Sequence, residues 1–491
     1  MTVQQSTPTS DSPKKSFGKD VGKLVSGTVV ALFVGICLTP IITRIFNPEM
    51  YGIAATFTSI VSIIVVIACM RYELAILLPK DDKDAGAILL ACGAILICVC
   101  MVSLLGIWIF GDIIVRLLNV PELKDYLILI PIAVFIDGLY IALRYWNTRR
   151  VRFGTQATTQ ALQSVSASGF KVGFGSLGYV NAGSLILGQI LGQGLGTLIL
   201  LYQAVKYDLG IIRASYSLKN IQAQIIIYKK FPLFNIWAAF LNVVSWQLPV
   251  FMLSSFFSSA VAGLYALGYM MIHLPMNLIG NSISQVFLHR ASVAKDNNLL
   301  SELAGDTCST LLILAVLPFI LLTLVGGDLF QIVFGTEWLE AGIFVQILGP
   351  WALVLFVTSP LTTISIVLEK QEINLIYNII LLMTRFASLL IGGIFGNVYL
   401  ALFLFMASGL AVYGGICYLC VVVWAKASIS TIWKQVNQPM VVSIGLAIIA
   451  FVVTLFPLSS LLTSIIAVLI GLIYLSYIVK TQPLIRAYLG R

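Results

Sequence analysis

Charge is scarce in this chain. Asp, Glu, Lys and Arg make up 10% of its 491 residues, against roughly 25% in an ordinary soluble domain. So few charges cannot cover the surface of a soluble protein of this length, which excludes a soluble enzyme and a disordered tail protein. Histidine is scarcer still: His273 and His289 are the two present, too few for a His-based metal site, so neither metal nor cofactor is expected. The eight cysteines (Cys37, Cys69, Cys92, Cys98, Cys100, Cys308, Cys417 and Cys420) lie within or beside apolar runs. Cys417-x2-Cys420 has zinc or redox spacing, but it has no second pair and no nearby His. It reads as apolar packing rather than a disulfide scaffold. Long polar loops are missing too: the longest covers residues 206–232. With no extramembrane domain to hold a catalytic site, no enzyme is expected.

What the chain has is apolar length. Hydrophobic residues make up 59%, about 290 positions, enough for some fourteen crossings at ~20 residues each. The expected fold is an all-α integral membrane protein. Reading apolar runs against polar breaks predicts spans near 24–45, 52–78, 86–110, 126–146, 155–177, 182–205, 233–256, 261–288, 307–327, 341–367, 373–395, 399–424, 438–457 and 461–479. The run from Leu24 to Ile42 is too long for a signal-peptide core and reads as the first span.

Basic residues orient these spans. With the N-terminus inside, 23 Lys and Arg fall in inner segments, three (Arg44, Arg116, Lys124) outside, and three (Arg71, Lys171, Arg385) within spans. Both termini are therefore expected in the cytoplasm. The net charge of +9 is mostly topology and implies no nucleic acid. In the longest loop, Leu218, Ile221, Ile225 and Tyr228 recur at helical spacing among Lys219, Lys229 and Lys230, the pattern of an amphipathic helix on the inner membrane surface.

The two halves repeat. "LTPIITRIFNPEMYGIAA" aligns Gly52 with Gly263 of "QLPVFMLSSFFSSAVAGLYALG"; Gly111-Asp112 answers Gly327-Asp328, and Pro131 answers Pro350. Six spans per half is even, so the copies enter in the same direction, related by an axis along the membrane normal. The expected organisation is a cytoplasmic tail (1–23), an N-lobe of spans 1–6 (24–206), a linker (207–232), a C-lobe of spans 7–12 (233–426), two additional spans (427–480) and a second tail (481–491). A substrate path is expected between the lobes.

Polar groups inside hydrocarbon normally face a cavity or a partner. Lys171 and Arg385 sit mid-span in the fifth span of their halves and are the preferred lumen cations. Arg71 and Glu73, two apart on one helix, cannot share a face, so each is expected to find a partner elsewhere. Asp137 lies seven residues before Arg144, on its face, which suits an internal ion pair. Uncharged stripes add His273, Asn277, Asn281 and Gln285 on span 8, Asn242 and Trp246 on span 7, and Gln189 and Gln193 on span 6. The last pair borders a Gly188-x3-Gly192-x3-Gly196 ridge that permits close helix contact. These stripes outline a wet cavity lined by both halves. Its slight positive balance suits an anionic, hydroxyl-rich ligand, because Arg donates bidentate hydrogen bonds to phosphate.

Two strings, "RYELAILLPKDDKDA" (71–85) and "FPLFNIWAAFLNVVSWQLPVFMLSSFFSSAVAGLYALGYMMIHLPMNLIGNSISQVFLHRAS" (231–292), resemble the lipid-linked oligosaccharide flippases of bacterial polysaccharide biosynthesis. These form a branch of the multidrug/oligosaccharidyl-lipid/polysaccharide exporter superfamily. The resemblance implies two six-helix lobes around a cavity that opens alternately inward and outward in the bacterial cytoplasmic membrane. It also implies transfer of an undecaprenyl-pyrophosphate-linked oligosaccharide to the outer leaflet. Partners would be membrane lipids and the polymerase and glycosyltransferases of the pathway, and the protein itself a monomer. Arg71 falls in the family's "RYE-A" motif. The stretch "RYWNTRRVRF", with Arg144, Arg149, Arg150 and Arg152, resembles its span 4–5 connection and reads as a cytoplasmic entrance that gathers pyrophosphate. Asp137 and Glu73 are the candidate coupling carboxylates, and Pro40 and Pro249 the candidate hinges. The competing readings are a drug or cation antiporter of the same superfamily and a membrane-embedded glycan polymerase.

Overall fold

A computed structural model describes residues 33–296, 299–456 and 459–481. The expected tail at 1–23, the start of the first span, and residues 482–491 of the second tail lie outside the described residues.

The described residues are helical from end to end of the chain, with no strand among them. The helices are α1 (Phe33–Ile45), α2 (Pro48–Ile67), α3 (Asp82–Leu118), α4 (Ile130–Arg149), α5 (Phe153–Ser176), α6 (Ala182–Ala214) and α7 (Leu218–Ile227). They continue as α8 (Ile236–Phe256), α9 (Ser259–Pro275), α10 (Asn281–Asp296), α11 (Leu300–Phe334), α12 (Leu339–Leu361) and the short α13 (Ile364–Val367). Last come α14 (Gln371–Ile394), α15 (Val398–Tyr418), α16 (Ile429–Leu455) and α17 (Ser460–Thr481). Eleven helical segments among the described residues are long and apolar enough to span a bilayer. The other three expected spans are α1, α5, and the α9–α10 pair. Helix α5 has the length but carries Thr155, Gln156, Thr158, Thr159, Gln160, Gln163 and Ser164 along its first half. A helix this polar is buried against protein or water rather than lipid.

The protein is therefore a multi-pass membrane protein of two six-helix lobes plus two additional helices. In the N-lobe α5 packs along α6, and α4 bridges α3 and α6; in the C-lobe α11 packs on α12, and α15 lies between α12 and α14. Helices α16 and α17 pack on the outside of α11, where the Tyr474 hydroxyl donates to the Ile313 carbonyl at 2.7 Å.

Turns at one end of the bundle share a local cause. The side chains of Asn47, Asn181, Ser258 and Asn397 each accept a hydrogen bond from the backbone N–H three residues on, capping α2, α6, α9 and α15. Such caps satisfy an otherwise orphaned donor and let a helix start abruptly after a short turn. The four fall at matching places of the two halves: before the second and the sixth helix of each lobe. We call this the capped end, and the end bearing Arg149–Arg152 and α7 the basic end.

The lobes meet at the capped end. Helices α2 and α9 cross where Gly52 lies against Gly263, the two glycines that the repeat aligns. A Cβ on Gly52 would run into the Ser259 carbonyl, and one on Gly263 into the Pro48 carbonyl. Around this crossing Trp338 Nε1 donates to the Thr43 carbonyl at 2.8 Å, Arg44 donates to the Ile332 carbonyl at 3.1 Å, and Ser254 and Ser255 donate to the carbonyls of Leu118 and Leu117.

Two helices depart from the expected geometry. The second span ends at Ile67 rather than 78: Met70 and Arg71 take positive φ, and Tyr72–Leu77 forms a 3₁₀ turn. Between α9 and α10 the stretch Met276–Gly280 is π-helical. The wider turn shifts the register, so the i+4 stripe from His273 through Asn277 to Gln285 does not stay on one face. The side chain of Asn281 lies outside the described ones. In the linker, α7 docks on α3 through polar groups. Asn220 donates to Asp84 at 3.1 Å, Gln224 is buried beside it, and Ile225 and Tyr228 pack into the N-lobe core. The exposed apolar residues are Leu218, Ile226 and Ile227.

Candidate functional site

Just below the glycine crossing, a cavity of about 340 Å³ separates the lobes. Each contributing helix presents one stripe. Tyr51, Ala55, Thr58 and Ser59 come from α2, Lys171 from α5, and Gln189 from α6. Opposite them stand Trp246 and Gln247 of α8 and Tyr265 and Tyr269 of α9. The polar groups of the N-lobe wall are thus hydroxyl, amide and amine, set beside Leu185 and Ile186, and the C-lobe wall combines aromatic rings with Val250 and Met270. No carboxylate is among the residues that line it.

Lys171 is placed there by the Gly188–Gly192–Gly196 ridge. Because these glycines have no Cβ, α5 lies directly on α6: Gly192 faces the Ala167 backbone, and the stem of Lys171 crosses Gly188. Lys171 Nζ then donates to Gln189 Oε1 at 2.8 Å. Lys171 makes no ion pair among the described residues. An amide takes one of its three protons, and the charge itself is left uncompensated. Across the cavity Ser59 Oγ of the N-lobe donates to Gln247 Oε1 of the C-lobe at 2.8 Å.

The structure distributes the other expected site residues differently. Arg385 is 1% exposed and does not line the cavity. It lies behind Trp246, its guanidinium carbon 4.2 Å from the ring centroid. His273 is also behind the wall, 4.1 Å from the Tyr269 ring and edge-on to Trp246 at 5.4 Å. Gln193 does not line the cavity; its backbone carbonyl accepts from the Thr197 hydroxyl and from Gln163 Nε2 of α5. Asn242 and Asn277 are exposed and line no part of this cavity. Pro40 sits within α1 and Pro249 within α8.

Arg71 and Glu73 pair with each other at 3.4 Å, contrary to the expectation of separate partners. The left-handed backbone at Met70 and Arg71 breaks the helix on which that expectation rested. Glu73 is 4% exposed, and burial pushes its carboxyl up, against the pull of Arg71 and Arg144. Asp137 and Arg144 form no ion pair among the described residues. Seven residues of helix put their Cα atoms about 10 Å apart along the axis, and Arg144 turns its guanidinium over the Tyr145 ring instead.

The arginine stretch at the basic end is also not the free entrance expected of it. Arg152 grips the fully buried Asp208 with two bonds of 2.6 and 3.0 Å, and Arg150 reaches the same carboxylate at 3.2 Å. Trp146 Nε1 donates to it as well, at 3.0 Å. Arg149 and Arg150 share Asp82, at 3.0 and 2.7 Å, and Arg149 also donates to the carbonyls of Ile76, Pro79 and Lys80. Three arginines thus meet two carboxylates from α3 and α6, and their donors are largely spent holding the basic end of the N-lobe together. Arg144 lies over the Tyr145 ring and makes no ion pair among the described residues.

Several cavity residues carried no sequence signal as charges or long amides would. Tyr51, Ala55, Thr58 and Ser59 form an i, i+4, i+7, i+8 stripe of small and hydroxyl groups on a mostly apolar helix. That stripe was the available clue. Gln247 stands one position from the Asn242–Trp246 stripe. Among the described residues no cluster of His, Cys, Asp and Glu could hold a metal ion.

The family model described as "Polysaccharide biosynthesis protein" matches residues 41–343, more than half of the chain. No curated protein matches. Among solved structures, "Lipid II flippase MurJ, inward closed conformation" aligns with 94% of this chain and 99% of its own, at 14% identity and TM-score 0.71. An inward-facing multidrug resistance MATE family transporter of the MOP superfamily aligns with 84% of this chain and 96% of its own, at 14% identity and TM-score 0.60. The Vibrio cholerae MATE transporter VcmN aligns with 85% and 98%, at 14% identity and TM-score 0.52. At such identities the likeness is one of fold.

Proposed function

The chain belongs to the polysaccharide biosynthesis protein family, and from that premise we propose that it is a flippase for a lipid-linked oligosaccharide. It carries an undecaprenyl-pyrophosphate-linked glycan from the inner to the outer leaflet of the bacterial cytoplasmic membrane, by alternating access and without a covalent step of its own. The observation that carries this reading is the cavity between the lobes. Among the described residues its wall holds a cation without an ion pair, Lys171, and no carboxylate, and it sets hydroxyls, amides and aromatic rings beside aliphatic groups such as Leu185, Ile186 and Val250. A cationic drug would meet repulsion there. A pyrophosphate finds an ammonium with free protons, and sugar hydroxyls find donors and acceptors on both lobes.

The excess of Lys and Arg at the basic end supports placing that end, and both termini, in the cytoplasm. The lobes touch at the capped end around Gly52 and Gly263, so the reading takes this conformation as closed toward the outside. Alternation would break that contact and form another at the basic end. The pathway's polymerase and glycosyltransferases would be its functional partners.

The test is complementation. In a strain lacking this protein, the wild-type chain is expected to restore surface polysaccharide, and Lys171→Glu at equal expression to fail. Restoration by Lys171→Glu would sink the reading. Lys171→Glu efflux of ethidium from proteoliposomes, with none by the wild type, would instead show that the wall charge sets the substrate sign.

A further inference from the structure

Arg385 sits at a defect in helix α8. The carbonyl of residue i in an α-helix accepts from the N–H of residue i+4, and Pro249 has no N–H. The Ser245 carbonyl therefore has no donor from that position. Arg385 supplies one: its Nη1 donates to the Ser245 carbonyl at 3.1 Å and to Ser245 Oγ at 2.9 Å. Nη2 donates to the Tyr413 hydroxyl at 3.1 Å. The same guanidinium lies 4.2 Å from the ring centroid of Trp246, the next residue of α8. One side chain from α14 thus holds the freed carbonyl, the neighbouring indole and a hydroxyl of α15.

Arg385 forms no ion pair among the described residues. A buried cation without a carboxylate is costly, and only a planar fork can bond two partners while stacking on a ring. Trp246 is therefore not a loose side chain at a cavity wall. One face is covered by the guanidinium, and Tyr269 and the edge-on His273 flank it at 6.0 and 5.4 Å.

We propose that Arg385 is a positioning residue: by capping the carbonyl that Pro249 frees and covering one face of Trp246, it fixes the indole in the cavity wall, where the opposite face serves as the subsite for a sugar ring. The negative face of an aromatic ring attracts the weakly positive C–H groups of a sugar. Lys171 on the opposite wall would hold the anionic group, so the lobes divide the ligand between them. The sugar subsite rests on the function proposed above; the grip of Arg385 on Trp246 does not.

The experiment uses full-length protein in nanodiscs. The signal of Trp246 is isolated as the difference between each protein and its Trp246→Phe counterpart. Arg385→Met is expected to red-shift that difference emission and raise its acrylamide quenching at least twofold. Adding Pro249→Ala, which returns an N–H to the Ser245 carbonyl, is expected to recover part of the change. Should Arg385→Met not fold, Arg385→Lys, which keeps the charge but loses the fork, gives the same readout. An unchanged Trp246 signal in these variants overturns the positioning role.

The subsite is read with prenyl pyrophosphates bearing glucose, galactose or N-acetylglucosamine, against prenyl pyrophosphate alone. At least one sugar-bearing probe is expected to bind the wild type fivefold or more tighter than the bare one, and Trp246→Leu and Arg385→Met to lose that ratio while keeping affinity for the bare probe. Equal affinities in the wild type, or a ratio kept in Trp246→Leu, overturn the subsite. Undiminished binding of bare prenyl pyrophosphate by Lys171→Ala counts against the proposed function alone and leaves the grip on Trp246 standing.

Discussion

In the N-lobe the sequence offers an anionic ligand two sets of cations, the arginine stretch at the basic end and the lone Lys171, and the structure treats them differently. Arg149, Arg150 and Arg152 at the basic end spend their donors on Asp82, Asp208 and backbone carbonyls. Lys171, in the wall between the lobes, has one amide partner among the described residues. The difference shows what makes a cation available to a ligand. Availability depends on which acids the fold brings to it rather than on local density of positive charge. A buried ion pair that loses one member leaves the other stranded, whereas a lone cation beside a cavity can be removed with little harm to the fold.

The comparison breaks most readily at Asp208. Asp208→Asn keeps the shape, strands Arg152 and leaves Arg150 with Asp82 alone, so a stability loss of about 3–5 kcal/mol is expected, measured as a lowered unfolding midpoint in detergent. A midpoint equal to the wild type would mean the arginines are not held by that carboxylate. Next comes the contact that closes Lys171's cavity toward the capped end. Gly263→Ala places a methyl against the Pro48 carbonyl, an overpacking cost of about 1–3 kcal/mol. The expected response is opening: the distance between spin labels at residues 49 and 337 should broaden toward longer values. An unaltered distribution would show that the crossing yields without the lobes parting. The smallest effect belongs to Asp82, which is partly exposed. Asp82→Asn is expected to cost about 1 kcal/mol or less, and less again in high salt, by the same melt. A loss as large as that of Asp208→Asn would place the anchor of the basic end on α3 instead of α6.

How far the sequence could be read follows the same division. The spans were legible because hydrocarbon imposes a length on apolar runs, and even the polar α5 was found within a few residues of its ends. The repeat was legible through Gly52 and Gly263, which turn out to touch. The partners of charged residues were not. Asp82 and Asp208 lie some sixty positions from the arginines they bind, and no spacing rule connects them. The pairing of Arg71 with Glu73 depends on a left-handed backbone at two residues that carry no glycine to announce it. Arg385 was legible as an unusual mid-span charge. Its place behind Trp246 follows from the carbonyl that Pro249 leaves free on a different helix, a tertiary fact. The π-helical stretch at Met276–Gly280 likewise turned a regular i+4 stripe into two unrelated faces.

Lys171, the cation without an ion pair among the described residues that line the cavity, is proposed to receive the anionic part of the ligand. The most direct test is a titration of the wild type and Lys171→Gln with prenyl pyrophosphate in nanodiscs, with unfolding midpoints measured alongside. Binding is expected to weaken about tenfold or more in Lys171→Gln, as for loss of a charged hydrogen bond, with the midpoint unchanged. Equal affinity in the two proteins would contradict this role for Lys171.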